Sequence, residues 1–134
     1  MSLPLKLSLK PGEAVIVNGA VLRNGERRGT LLLANRSRVL REKDILRPDD
    51  AVSASERAYF AIMQMYLTDE IDGPLYDQAA SALSAALSSV ESDEMRAMIL
   101  SISKACAAGE TYKAISECRK LMKHVRAATG EADA

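Results

Sequence analysis

Aromatic side chains are scarce in this chain of 134 residues: one Phe, four Tyr and no Trp, and none before Tyr59. RNA modules that stack single-stranded bases on sheet aromatics are therefore excluded for residues 1–58. His124 is the only histidine, and the two cysteines, Cys106 and Cys118, stand twelve positions apart. No spacing suggests a zinc site, and both thiols are expected as reduced core groups. No glycine-rich loop leads from a strand into a helix, as a nucleotide phosphate cradle requires. Asp69, Glu70 and Asp72, and likewise Glu91, Asp93 and Glu94, fall at helix ends, where caps and solvated loops explain them. Catalytic residues, metal and cofactor are accordingly not expected. No apolar run approaches the ~18 residues of a membrane span. Met1–Lys10 lacks the basic start and apolar core of a signal peptide. The expected compartment is the cytoplasm, with no membrane contact.

What the chain does have is an uneven charge. Residues 1–48 carry ten Lys/Arg against four Asp/Glu; residues 49–134 carry eight against fourteen. The halves cancel to a formal net charge of zero. A basic segment beside an acidic one suggests a surface for an anion, most often nucleic acid. Two ordinary solvated surfaces would give the same count, because the basic residues are spread over several strands and turns.

The charge split coincides with a change of pattern. Leu5-Lys6-Leu7-Ser8-Leu9 alternates with the period of a half-buried strand. Lys10-Pro11-Gly12-Glu13 fits a type II turn, since Gly supplies positive φ at the third position. Ala14–Val17 and Ala20–Arg23 flank Asn18-Gly19, the preferred two-residue hairpin turn. Asn24-Gly25 repeats that turn signal, and 30–34 and 38–41 read as further strands. Five short strands imply a small antiparallel sheet or partial barrel.

From Ser53 onward the period becomes helical. Ser53-Ala54-Ser55-Glu56 fits a capping box for a helix over about 54–68. Gly73-Pro74 opens a second helix, Ser92 caps a third, Gly109 stops it, and a fourth covers about 111–127. Met95, Met98, Ile99, Ile102 and Cys106 are expected to bury one face of the third helix. Tyr112, Ile115, Cys118, Met122 and Val125 are expected to do so for the fourth. The fold class is α+β: an N-terminal antiparallel β module of about five strands at 1–47, packed with a four-helix region at 53–127. Residues 48–52 form the hinge between them, and 128–134 a flexible tail.

Two surfaces are candidates for function. Arg36, Arg38, Arg41, Lys43 and Arg47 fall within twelve residues, and Arg27 and Arg28, with Arg23, flank the second Asn-Gly pair. Arginine suits phosphate because its planar fork donates two parallel bonds and stays charged. Arg36, Arg38 and Lys43 cannot share one strand face with Arg41 unless a bulge or bend intervenes. The second surface is the stripe Tyr59, Met63, Met65 and Tyr66, with Phe60 and Ile62, wider than one buried helix face needs. If the helix is central, the stripe is core. If part of it is exposed, it is a partner groove or a homo-oligomer contact, and Met65→Asp would abolish partner binding with the fold intact. The residues alone leave RNA binding and protein-contact adaptor both open.

Ordered segments then resemble a known family. Leu5–Glu13, Val17-Asn18-Gly19-Ala20-Val21, Asn24–Gly29 and Val39–Ile45 closely resemble the FlbT family. In the helical half, Tyr59-Phe60, Met63–Leu67, Tyr112-Lys113-Ala114 and Arg119-Lys120-Leu121 extend the resemblance. The resemblance implies a bacterial post-transcriptional regulator of flagellum biosynthesis, not an enzyme. It would associate with the 5′ untranslated region of flagellin mRNA and promote its degradation, or control its translation. In some members of the family the effect is positive. The implied partners are the flagellin mRNA leader, with FlaF and flagellin as protein candidates; the alternative is an adaptor acting through FlaF or flagellin without direct RNA contact. A shorter likeness, over Leu5–Leu9, Gly12-Glu13 and Val39-Leu40-Arg41-Glu42, is to the carbon-storage regulator family, and it implies RNA contact at Arg41. On these grounds Arg41, Arg38, Lys43, Arg36, Arg27 and Arg28 are the expected RNA-binding residues.

Overall fold

Asn18 and Gly19 both hold positive φ, 50° and 85°. This is the mirror-image turn that matches the twist of paired strands. It joins β2 (Ala14–Val17) to β3 (Ala20–Arg23) in antiparallel register, with Val17 opposite Ala20. The structure, a computed structural model, describes residues 5–129. Within them the chain is α+β, and it divides into two compact units, Met1–Ile45 and Leu46–Ala134.

The first unit holds β1 (Leu5–Leu9), β2, β3, β4 (Gly29–Leu33) and β5 (Val39–Arg41), followed by a one-turn 3-10 helix at Glu42–Asp44. The strands form two antiparallel sheets: β1 with β4, and β3-β2-β5 in that order. The Lys10–Glu13 turn forms as its residues require: Gly12 has φ 71° and the Glu13 N–H donates to the Lys10 carbonyl at 3.1 Å. Asn24-Gly25 does not make a second hairpin. β3 and β4 are not paired, and β4 runs instead beside β1, with Leu7 opposite Leu31. Leu7, Leu9 and Val15 are buried, and Val17, Leu31, Leu33 and Val39 pack against them. Leu5 lies on the same strand face but at its open end, and is half exposed.

The second unit begins with a 3-10 turn at Pro48–Asp50 and continues with α1 (Ala54–Thr68), α2 (Pro74–Ser89), α3 (Asp93–Ala107) and α4 (Thr111–Thr129). The capping box at α1 is complete: the Ser53 hydroxyl accepts from the Glu56 N–H at 3.2 Å, and Glu56 accepts from the Ser53 N–H at 2.9 Å. Pro74 starts α2, and Ser92 caps α3 through the Met95 N–H at 3.2 Å. Gly109, with φ 74°, ends α3 in a Schellman arrangement: its N–H reaches the Cys106 carbonyl and that of Glu110 reaches Ala105.

α1 is the central helix, in contact with α2 and α4, while α3 packs on α4 and α2. Eight of its fifteen residues are buried. α2 meets its neighbours through Ala79, Ala82, Leu83 and Ala86, and alanine lets helices approach closely. Four expected core positions of α3 and α4 differ. Tyr112 is 66% exposed, and its ring lies 6.0 Å from that of Tyr66 between centroids. Thr111 takes the buried position at the start of α4 instead. Met95, Met98 and Val125 are partly buried. α4 runs to Thr129, and the part of the expected tail from Gly130 onward lies outside the described residues.

Candidate nucleic-acid interface

At one end of the β unit, two loops are stitched together. The Asn24 side-chain amide donates to the carbonyls of Lys10 at 2.8 Å, Arg27 at 2.9 Å and Leu9 at 3.2 Å. The Gly12 N–H reaches the Gly25 carbonyl at 3.0 Å, and the Asn24 N–H reaches that of Glu13 at 2.8 Å. The Arg23 guanidinium donates to the Gly12 carbonyl at 2.7 Å. These bonds fix the Lys10–Glu13 turn against the Asn24–Arg28 loop. They bring exposed Lys10, Arg23, Arg27 and Arg28 to one end of the unit, although up to eighteen positions separate them in sequence.

Arg41 serves a different purpose. Its Nη2 donates to the Ser8 carbonyl of β1 and to the Glu13 carboxylate, 3.0 Å away. Glu13 also accepts from the Lys10 N–H at 2.9 Å. That backbone bond, then the Arg41 bond, hold the Glu13 carboxyl below the usual glutamate range. Arg41 thus ties β5 to β1 and to the turn before β2, with about a third of its side chain exposed.

The six residues expected from sequence do not form one cluster. Arg27, Arg28 and Lys43 are exposed at the Glu13 end, where Glu42, beside Lys43, lies 3.8 Å from Arg23. Arg38 lies at the opposite end: its N–H donates to Asn18 Oδ1 at 2.9 Å and its carbonyl accepts from the Asn18 N–H at 2.8 Å. Arg36, exposed, precedes it in the same connection. Five residues of extended chain from Glu13 to Asn18 separate the two ends by about 17 Å. Sequence reasoning did not place Lys10 beside Arg27 and Arg28. The signal was the Asn24 side chain, whose bonds to the first turn cannot be read from spacing.

The α1 stripe is not a surface. Tyr59 is 1% exposed, Met65 0%, Met63 5% and Tyr66 6%. The wide apolar stripe exists because α1 is covered on two sides, by α2 and α4, so these residues are core and the expected partner groove is not made by them. Of the apolar stripe residues only Phe60 is partly exposed; it borders a groove of about 590 Å³ with Ala82 and Ala85 of α2.

Elsewhere in the helical unit, Glu56 joins the capping box to α4 by accepting from Arg126 at 3.1 Å. Partial burial works against its charged form, but hydrogen bonds from Ser53 and Arg126 outweigh this and keep its pKa below the ordinary value. Cys106 and Cys118 are free and buried. Burial pushes the Cys106 thiol up to about 11, and burial followed by the neighbouring Cys106 pushes Cys118 up as well. His124 sits on exposed α4 surface, with Nδ1 2.9 Å from the Lys120 carbonyl and Nε2 3.7 Å from Glu94. Among the described residues no group of three His, Cys, Asp or Glu is placed to hold a metal ion, and no helix is long and apolar enough to cross a membrane.

Comparison with known proteins adds what geometry does not. The family described as flagellar protein FlbT matches residues 5–128. A probable flagellum biosynthesis repressor protein FlbT from Caulobacter sp. (strain K31) is 43% identical over 122 residues, spanning 91% of this chain and 93% of its own. The flagellum biosynthesis repressor protein FlbT of Caulobacter vibrioides is also 43% identical, over 91% of this chain and 86% of its own. A probable flagellum biosynthesis repressor protein FlbT of Rhodopseudomonas palustris is 34% identical, over 90% and 94%. No solved structure matches the chain.

Proposed function

The chain belongs to the FlbT family of flagellar proteins, and from that membership we propose that it regulates flagellin expression by binding flagellin mRNA. On this reading it associates with the 5′ untranslated region in the cytoplasm, promotes degradation of the message, and performs no chemistry itself. The observation that carries the RNA contact is the cationic end of the β unit, where exposed Lys10, Arg27, Arg28 and Lys43 surround two loops fixed by Asn24. Fixed loops suit phosphate recognition, because less side-chain and backbone freedom is lost on binding. With no aromatic among the first 58 residues, contact rests on guanidinium, ammonium and backbone groups rather than base stacking.

The test is a gel shift of the purified protein alone with a flagellin leader RNA. Reversing Arg27 and Arg28 to Glu should weaken binding far more than reversing Lys120 and Lys123, exposed on α4. About four phosphate contacts predict a slope near −3 for log affinity against log salt. Equal losses from both pairs would mean diffuse attraction. No loss from the first pair, in a folded protein that still binds, would remove the site from the β unit.

A further inference from the structure

Among the described residues β3 is an outer strand, paired on one side only. All four of its residues are exposed, with Val21 at 66% and Leu22 at 41%. The two lie on opposite faces of the strand. The Asn24 N–H bonds to the Glu13 carbonyl, so in an antiparallel ladder the alternate residues Leu22 and Ala20 also turn their backbone groups to β2. The N–H and C=O groups of Val21 and Arg23 therefore point away from the sheet. Natural edges are commonly blunted by shortness, charge, proline or a bulge; β3 is short and ends in Arg23, but Ala20-Val21-Leu22 carries no charge and no proline.

We propose that the open edge of β3 takes an additional strand from an acidic, extended segment of a partner protein. Backbone bonds from Val21 and Arg23 would hold it, its apolar residues would cover Leu22 on one face, and its acidic residues would meet Arg23 on the other. Charge identifies the occupant. Arg23 stands on the edge itself, Arg27 and Arg28 follow in the next loop, and residues 1–45 carry nine Lys/Arg against four Asp/Glu. A second copy of the chain would bring two such surpluses together, whereas glutamates alternating with apolar residues meet Arg23 on one face and Leu22 on the other. The inference stands apart from RNA binding, since it uses the strand edge and not the loop cations alone.

The probe is a fluorescein-labelled peptide alternating glutamate and valine, titrated into the full-length protein and followed by anisotropy. Its counterpart has lysine for glutamate. The acidic peptide should bind, the lysine peptide should not, and the Val21 and Arg23 amide resonances should shift and gain protection from exchange. Val21→Pro removes an outward N–H without breaking a bond to β2, and should weaken binding about tenfold, the effect expected from one or two hydrogen bonds. Val21→Glu, at an exposed position that tolerates charge, should do so by repulsion and serves if the proline variant misfolds. Absence of acidic-peptide binding, equal binding of both peptides, or insensitivity to both variants would overturn the proposal. Concentration-dependent shifts at Val21 and Arg23 without peptide would overturn it in favour of a second copy. Loss of leader RNA binding in Val21→Glu with peptide binding intact would overturn it in favour of RNA at the edge.

Discussion

The Arg41 guanidinium lies 3.0 Å from the Glu13 carboxylate, joining the end of β5 to the turn that precedes β2. The same nitrogen donates to the Ser8 carbonyl on β1. One side chain thus fastens the two sheets of the β unit to each other. The cation first expected to meet RNA is engaged in tying strands together.

Replacement of Arg41 by Gln should lower the melting temperature, because the Glu13 carboxylate and the Ser8 carbonyl both lose the guanidinium that joins them. Leader binding by the folded protein should fall less than for the Arg27→Glu, Arg28→Glu pair. Thermal melts and gel shifts on the same preparations check this. Unchanged melting with lost RNA binding would make Arg41 a contact residue after all.

Acid should unfold the protein partly through Glu13 and Glu56. Both carboxyls titrate below the ordinary glutamate value of 4.5. Above that value both states are ionised and the contribution is complete. As pH falls from it toward the lower folded pKa values, the unfolded chain takes up protons first and stability declines. Denaturant melts of Glu13→Gln and Glu56→Gln should each show a shallower loss over this window than the parent. A parallel profile in both variants would place the acid sensitivity elsewhere.

Met65→Ala should cost about 2–5 kcal/mol, the range for emptying a buried methionine site. Met65→Asp should cost more, because it also buries a carboxylate with no partner. The expectation that the aspartate would break partner contact with the fold intact is therefore replaced: the variant should lose helical signal and cooperative melting. A well-folded Met65→Asp protein by circular dichroism would contradict the burial of α1.

Native protein at pH 8 should react slowly with Ellman's reagent at Cys106 and Cys118 alike. Burial of both, and the upward shift of the Cys106 thiol to about 11, keep thiolate and reagent apart. Denaturant should release both thiols together. A fast-reacting thiol in the folded protein would show that α3 or α4 opens readily.

Much of the local structure was legible because its causes lie within a few residues. The Asn18-Gly19 hairpin, the Gly12 turn, the Ser53–Glu56 capping box and the Gly109 stop each depend on neighbours in sequence. Asn24-Gly25 carries the same letters as Asn18-Gly19 and behaves differently. Its Asn side chain is drawn to the carbonyls of Leu9 and Lys10, and no return strand lies across from β3. The sites were less legible than the elements. Burial of Tyr59, Met63, Met65 and Tyr66 depends on how many helices cover α1, which the stripe itself does not state.

The sequence alone determined the α+β class, the order of strands and helices, most of their ends and the family, since propensity, periodicity and capping act over short spans. Tertiary structure decided that Leu5 pairs with Leu33 rather than β4 with β3, that Arg41 bonds back to Ser8 and Glu13, and that Lys10 joins Arg27 and Arg28. Those outcomes are set by packing and hydrogen bonding among residues far apart in the chain. No window of neighbouring residues contains the partner.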